Sequence, residues 1–268
     1  MIPTALAFGA LIGLSMGLTG AGGGILAVPA LMISLNLSLP HASPIALTAV
    51  AISAAFGAAH GLRQGTVRYR AAILMATVGS VVAPLGHLLA HRLPPALLCL
   101  AFAAVMLFVA WRMLLRTSAH TPYGTVPTEP EKLCQLSQES GRFIWGRRTA
   151  AILGSIGAVS GFLTGLLGVG GGFFIVPALS HFTNVGMHSI IATSLMVIAL
   201  VSTASVAASA ATGVLVFPPA AWGFIAAAVL GMMLGRRLAP HLPARTLQRG
   251  FGVICIVVAA AMIRQALS

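Results

Sequence analysis

Four glycines crowd into five residues at two places in this chain, Gly20-Ala21-Gly22-Gly23-Gly24 and Gly168-Val169-Gly170-Gly171-Gly172, each inside a long apolar run. Glycine costs roughly 1 kcal/mol relative to alanine in a helix interior, so each cluster is expected to break its helix. At membrane depth a broken backbone is tolerated only where it is buried in protein or lines a wet cavity, because unpaired N–H and C=O groups cost several kcal/mol in lipid. Two such breaks therefore imply an interior cavity built around them.

The membrane setting follows from run length. A spanning helix needs about 20 apolar residues, and apolar segments fall at 4–35, 42–62, 71–91, 95–115, 149–181, 188–213, 219–239 and 247–266. Only 7% of the chain is charged, against about 25% in an ordinary soluble domain, which excludes a soluble enzyme. There is no Asp, and all three Glu (Glu129, Glu131, Glu139) lie in the polar stretch 117–147 with the only Lys and with Pro122, Pro127 and Pro130. That composition reads as a linker between a first membrane repeat, 1–116, and a second, 148–268. A net charge of +12 would suit nucleic acid. The basic residues instead cap apolar runs, as positive-inside anchors do, so no nucleic-acid partner is expected. Cys99, Cys134 and Cys255 are scattered without metal-ligand spacing, so neither a metal nor a disulfide framework is indicated. Met1-Ile-Pro-Thr lacks the basic region of a signal peptide and is read as part of the membrane domain.

The chain repeats itself. At a constant offset, Gly9, Gly13, Gly17, Gly20, Gly22, Gly23, Gly24 and Pro29 fall on Gly157, Gly161, Gly165, Gly168, Gly170, Gly171, Gly172 and Pro177. The match runs without a gap to Gly65 and Gly213, then with one inserted residue to Ala90-His91-Arg92-Leu93-Pro94 against Ala239-Pro240-His241-Leu242-Pro243. A duplicated membrane module places its function between the halves. The glycines four apart that open each repeat read as helix packing of the small-xxx-small type.

The clusters that follow admit two readings. A new half-helix is expected after each break, from Gly24 to Leu35 and from Gly172 to Ser180, with its free N–H groups and partial positive charge facing the break, an anion-binding geometry. The glycine run can add a nest of inward N–H groups. The alternative is that these glycines only let two helices cross. The lack of acidic residues in the membrane segments removes the usual ligands of cations, which favours an anion. Pro29 and Pro177 read as structural kinks. His60 and His87, in apolar segments, are candidates to relay a proton or gather an anion, with an interhelical hydrogen bond or an interfacial position as the competing role. Thr48, Ser53, Thr193, Ser194 and Ser202 offer hydroxyls to the cavity or back-bond to their own helices. Gly13-Leu14-Ser15-Met16-Gly17 matches G-x-S-x-G, but in a glycine-zipper helix rather than the strained strand-to-helix turn a hydrolase needs, so no enzyme is expected. Nor is there a nucleotide-binding or metalloprotease motif, so no cofactor is expected.

Gly17-Leu18-Thr19-Gly20-Ala21-Gly22-Gly23-Gly24 with Val28-Pro29-Ala30-Leu31, and Gly165-Leu166-Leu167-Gly168-Val169-Gly170-Gly171-Gly172 with Val176-Pro177-Ala178-Leu179, resemble the paired signature of the TauE/SafE sulfite exporter family. Ala192-Thr193-Ser194-Leu195 and Gly65-Thr66-Val67 extend the likeness. The resemblance implies an integral membrane transporter of sulfur-containing anions, such as sulfite or organosulfonates, built from duplicated modules of about three spans. Two departures make the half-sites unequal: Pro44-Ile45-Ala46-Leu47 stands where the second half has Ala192-Thr193-Ser194-Leu195, and Leu167 replaces Thr19.

Two topologies compete. If all eight segments span, ten of the fifteen Lys and Arg collect on one side; if each glycine segment is re-entrant, the halves become inverted and thirteen do. The charges favour the second. The expectation is thus an all-α, polytopic protein of two homologous halves, each a Gly-broken, re-entrant helix plus three transmembrane helices, arranged as an inverted repeat. It would lie multi-pass in the plasma (inner) membrane with linker 117–147 cytoplasmic. Its partners would be the lipid bilayer and a small anionic substrate, with a homo-oligomer left open. The expected anion ligands are Thr19, Gly20, Gly22, Gly23, Gly24, Gly168, Gly170, Gly171, Gly172, Thr193 and Ser194. Proton-coupled uptake of an organic anion and a non-transporting assembly subunit are the alternatives.

Overall fold

The computed structural model describes residues 2–19, 23–35, 37–116, 146–183, 185–211, 218–238 and 244–267. Linker 117–147, with Cys134, Lys132 and the three Glu, therefore lies almost wholly outside the described residues, as do Gly20, Gly22 and Gly213. The described residues are helical, with no strand among the elements: α1 (Ile2–Thr19), α2 (Ala27–Leu35), α3 (Leu39–Arg63), α4 (Tyr69–Arg92), α5 (Pro95–Arg116), α6 (Arg147–Leu167), α7 (Gly172–Phe182), α8 (Met187–Ala211), α9 (Pro219–Leu238) and α10 (Ala244–Leu267). Five of them are long and apolar enough to cross a bilayer: α3, α4, α6, α8 and α9. At 1.5 Å per residue the 25-residue α3 and α8 reach about 37 Å, more than the hydrocarbon thickness. Exposed faces of the spanning helices carry large apolar side chains, as lipid contact requires: Val81 of α4 is 75% exposed and Leu230 of α9 62%.

Each apolar segment that carries a glycine cluster is two helices. In the first, a 3-10 turn (Gly23–Leu26) precedes α2, so the α-helix starts three residues later than Gly24. The consecutive Gly23 and Gly24, poor α-formers, take up the tighter turn. Pro29 falls third in α2, directly after the 3-10 turn, where the fixed φ of proline suits the start of an α-helix. Pro177 sits inside α7 and removes the bond to the Phe173 carbonyl. In both segments the chain doubles back. A Cβ built on Gly23 would fall against the backbone of Met16 and Ile12, and one on Gly171 against Ser160 and Thr164.

The glycine zippers determine which helices meet. Gly9, Gly13 and Gly17 of α1 lie on the backbone of Phe224, Ala228 and Met232 of α9; Gly157, Gly161 and Gly165 of α6 lie on Met75, Gly79 and Ala83 of α4. Both pairs therefore run parallel, and each joins a helix before the linker to one after it. Gly61 faces Ala192 and Gly57 faces Leu195, so α3 and α8 run antiparallel. α5 packs mainly on α10; these two helices carry the buried Cys99 and Cys255.

Candidate anion site at the paired helix breaks

The two breaks meet at the middle of the long helices. A Cβ on Gly24 would lie 3.1 Å from the Val169 carbonyl oxygen and 3.5 Å from Val50 of α3; one on Gly170 would lie 3.0 Å from Val50 and 3.2 Å from Ile198 of α8. Val50 and Ile198 are themselves repeat partners, each near the midpoint of its helix. Gly23, Gly24, Gly168, Gly170, Gly171 and Gly172 are all buried.

In the second break the backbone needs glycine. Gly168 (φ 70°), Gly170 (φ 80°) and Gly171 (φ 60°) occupy the left-handed region, which a Cβ disfavours by about 1–2 kcal/mol per residue. Gly168 caps α6 by donating its N–H to the Thr164 carbonyl at 2.8 Å, and Ser160 Oγ donates to the Gly171 carbonyl at 3.3 Å. Gly171 caps the start of α7. Its carbonyl accepts from Phe174 and Ile175 N–H, leaving the N–H groups of Gly172 and Phe173 at the open, partially positive end of the helix.

The hydroxyls divide into two classes. Thr19 donates to the Ser15 carbonyl at 2.7 Å, Thr48 to Pro44 at 2.8 Å and Ser194 to Ile191 at 2.8 Å; these are back-bonded within their helices. Ser53 and Ser202, 1% and 0% exposed, have no hydrogen-bond partner. Ser202 Oγ would lie 3.1 Å from a Cβ on Gly170, so its free hydroxyl is aimed at the break. Type and spacing alone do not separate Ser202 from Ser194; only the neighbouring helix does.

Thr193 does not reach the break. It is 2% exposed near the start of α8 and accepts from the main-chain N–H of Arg68 at 3.0 Å. In the sequence Arg68 is one of the fifteen Lys and Arg whose distribution bears on topology. Its Nε is buried without a partner, and Arg68, Thr193, Thr183 and Ile190 line a cavity of about 10 Å³. The signal that would have found it is a cation directly after Gly65-Thr66-Val67 in a chain whose membrane segments hold no acid to pair with it. His60 is exposed on α3, and His87 is half-buried towards the end of α4. At the one-residue-longer offset that follows the insertion, the repeat partner of His87 is Arg236, which donates to the Gly57 carbonyl. Each half thus carries a basic group at this position. Among the described residues no group of His, Cys, Asp or Glu is arranged to hold a metal ion.

Comparison with known proteins identifies the family. The family model described as Sulfite exporter TauE/SafE matches residues 5–262. A "Probable membrane transporter protein" of Xylella fastidiosa strain 9a5c is 34% identical, the match covering 95% of this chain and 92% of the relative. "Probable membrane transporter protein YjnA" of Bacillus subtilis is 27% identical, covering 90% and 91%. No solved structure matches the chain. With a family match over nearly its whole length, joined to a polytopic helical fold, this chain belongs to the TauE/SafE sulfite exporter family of membrane transporters.

Proposed function

We propose that this membrane transporter is a secondary carrier, without enzymatic activity, for a small sulfur-containing anion such as sulfite or an organosulfonate, bound where the two helix breaks meet. The observation that carries this reading is the buried, left-handed glycine run at Gly168, Gly170 and Gly171, which opens α7 towards the unpartnered Ser202 hydroxyl. Free N–H groups, a helix N-terminus and a spare hydroxyl stabilise negative charge, and no carboxylate side chain lies outside residues 129–139 to repel it. Gly23 and Gly24 approach the same point from the other half, with Gly20 and Gly22 completing that run in sequence.

The helix directions support an inverted repeat. Antiparallel α3 and α8, with α1 parallel to α9 and α4 to α6, relate the halves by an axis across the long helices, the arrangement that lets a central site open to either side by rocking one half against the other. In that arrangement thirteen of the fifteen Lys and Arg share one side with the linker, which supports our reading of that side as cytoplasmic in a plasma (inner) membrane. An anion leaving an inside-negative cell gains about 2.3 kcal/mol per charge per 100 mV, so export runs without ATP.

The test is radiolabelled sulfite efflux from proteoliposomes holding the purified chain, with an imposed potential and unlabelled anions as competitors. Efflux is expected to rise with inside-negative potential. Gly171→Val, in which the new side chain meets the Ser160 carbonyl, is expected to abolish it at normal expression. No flux above empty liposomes from folded protein overturns sulfite as cargo, and full flux in both Gly171→Val and Gly23→Val overturns the break as the site.

A further inference from the structure

We propose that the small cavity between the start of α4, the end of α7 and the start of α8 is an anion docking site, separate from the breaks, in which Arg68 and Thr193 bind a sulfonate- or phosphate-type oxyanion group. Arg68 is the group left unexplained by packing. Its guanidinium has no hydrogen-bond or ion-pair partner among the described residues, and its Nε is shut off from solvent. The nearby α7 C-terminus makes the position tolerable for a cation. It does not satisfy the Nε, because the Leu179 carbonyl there already accepts from the Thr183 N–H at 3.0 Å and from Thr183 Oγ1 at 2.6 Å. Thr193 Oγ1 accepts the Arg68 main-chain N–H and makes no other hydrogen bond among the described residues, which leaves its proton to donate. A guanidinium and a free O–H carried by two residues that line one cavity suit the oxygens of an oxyanion. The cavity, about 10 Å³, has the room of one water-sized group, so one oxygen enters while the rest of the anion sits towards the opening.

The repeat supplies an internal control. The partners of Thr193 and Thr183 in the first half are Ile45 and Leu35, and Arg68 corresponds to Val216 or Phe217 across the one-residue insertion. The sequence thus makes these three positions polar in one copy and apolar in the other. In the chain, Arg68 stands between the exposed Arg63 and Arg70.

The choice of sulfite as a probe rests on the proposed function; the site itself does not. Sulfite, methanesulfonate and inorganic phosphate binding is measured on the purified full chain in nanodiscs of neutral phosphatidylcholine, and again with anionic phosphatidylglycerol. In neutral nanodiscs at least one oxyanion is expected to bind, with affinity at least tenfold weaker in Arg68→Gln, severalfold weaker in Thr193→Val and intermediate in Arg68→Lys. Arg63→Gln, which removes an exposed neighbouring cation, is expected to match the wild type, which separates a site from a general positive field. Arg68-dependent binding that persists with phosphatidylglycerol identifies a free solute; loss of that binding identifies a lipid headgroup as the occupant of the same site. Equal binding by wild type and a folded Arg68→Gln in both lipids overturns the site. Arg68-dependent binding without flux sinks the transport reading alone, whereas flux with an unchanged half-saturating concentration in Arg68→Gln sinks the docking site alone.

Discussion

Gly13 and Gly161 stand at one repeat position and meet one obstacle, the backbone of a parallel helix, at Ala228 in one case and Gly79 in the other. Gly23 and Gly171 also share a repeat position, but the chain beneath them differs. Gly23 rests on Ile12 and Met16; Gly171 rests on Ser160 and Thr164, the same two positions with hydroxyls. The difference separates two kinds of information in the duplicated sequence. Where helix backbones cross, both copies keep glycine, because the architecture needs the close approach. Where side chains face the breaks or the corners, the copies diverge, and each divergence gives one half polar groups that the other lacks. A symmetric frame thus carries an asymmetric set of donors: Ser160, Thr164, Ser202, Thr193 and Arg68 on one side of the comparison, mostly aliphatic residues on the other.

The shared part of the comparison predicts the largest effect. A Cβ at either Gly13 or Gly161 would lie inside the contact distance of a carbonyl group, and a main-chain atom cannot swing away as a side-chain tip can. Overpacking usually costs about 1–3 kcal/mol and more where nothing gives way. Gly13→Val and Gly161→Val are both expected to prevent a folded monodisperse protein, read by size-exclusion chromatography in detergent, and to do so equally. A folded Gly161→Val beside a collapsed Gly13→Val would show that the two crossings are not equivalent.

The divergent part predicts a smaller effect that moves two readouts in opposite directions. A buried hydroxyl with no partner costs about 1–3 kcal/mol, so Ser202→Ala is expected to raise the melting temperature or leave it unchanged. If the hydroxyl donates to cargo at the break, the same variant raises the half-saturating anion concentration severalfold. Ser194→Ala removes a hydroxyl already bonded within its own helix and is expected to leave the half-saturating concentration unchanged. A loss of stability in Ser202→Ala, with affinity unchanged, would assign Ser202 to packing.

These contrasts also mark what the sequence could disclose. Helix breaks and zipper faces were readable because each depends on the absence of a Cβ, which glycine records directly. The pairing of α1 with α9 and α6 with α4 was not readable, since a glycine face shows that a partner comes close without naming it. The 3-10 turn at Gly23–Leu26 was hidden for a related reason: its mate at Gly171 starts an α-helix, although both follow the same glycine pattern. For the hydroxyls, Thr19, Ser194 and Ser202 look alike along the chain. What separates them is whether a neighbouring element, such as the Gly170 break, comes within about 3 Å.

Gly154 gives the smallest effect and the sharpest check on the rule that repeated glycines mark backbone contacts. It lies on α6 one turn before Gly157, yet its repeat partner is Leu6 rather than glycine. A Cβ built on it meets nothing within 4 Å, whereas one on Gly157 runs into Met75. With space available and a helical backbone, Gly154→Ala gains helix propensity, worth up to about 1 kcal/mol. It is therefore expected to raise the melting temperature slightly and leave flux unchanged, while Gly157→Ala lowers both. Because the two positions share a helix and a substitution, a general intolerance of α6 to alanine would lower both variants alike. Opposite signs isolate the parallel contact with α4, and equal losses would mean that glycine serves α6 itself, not the crossing.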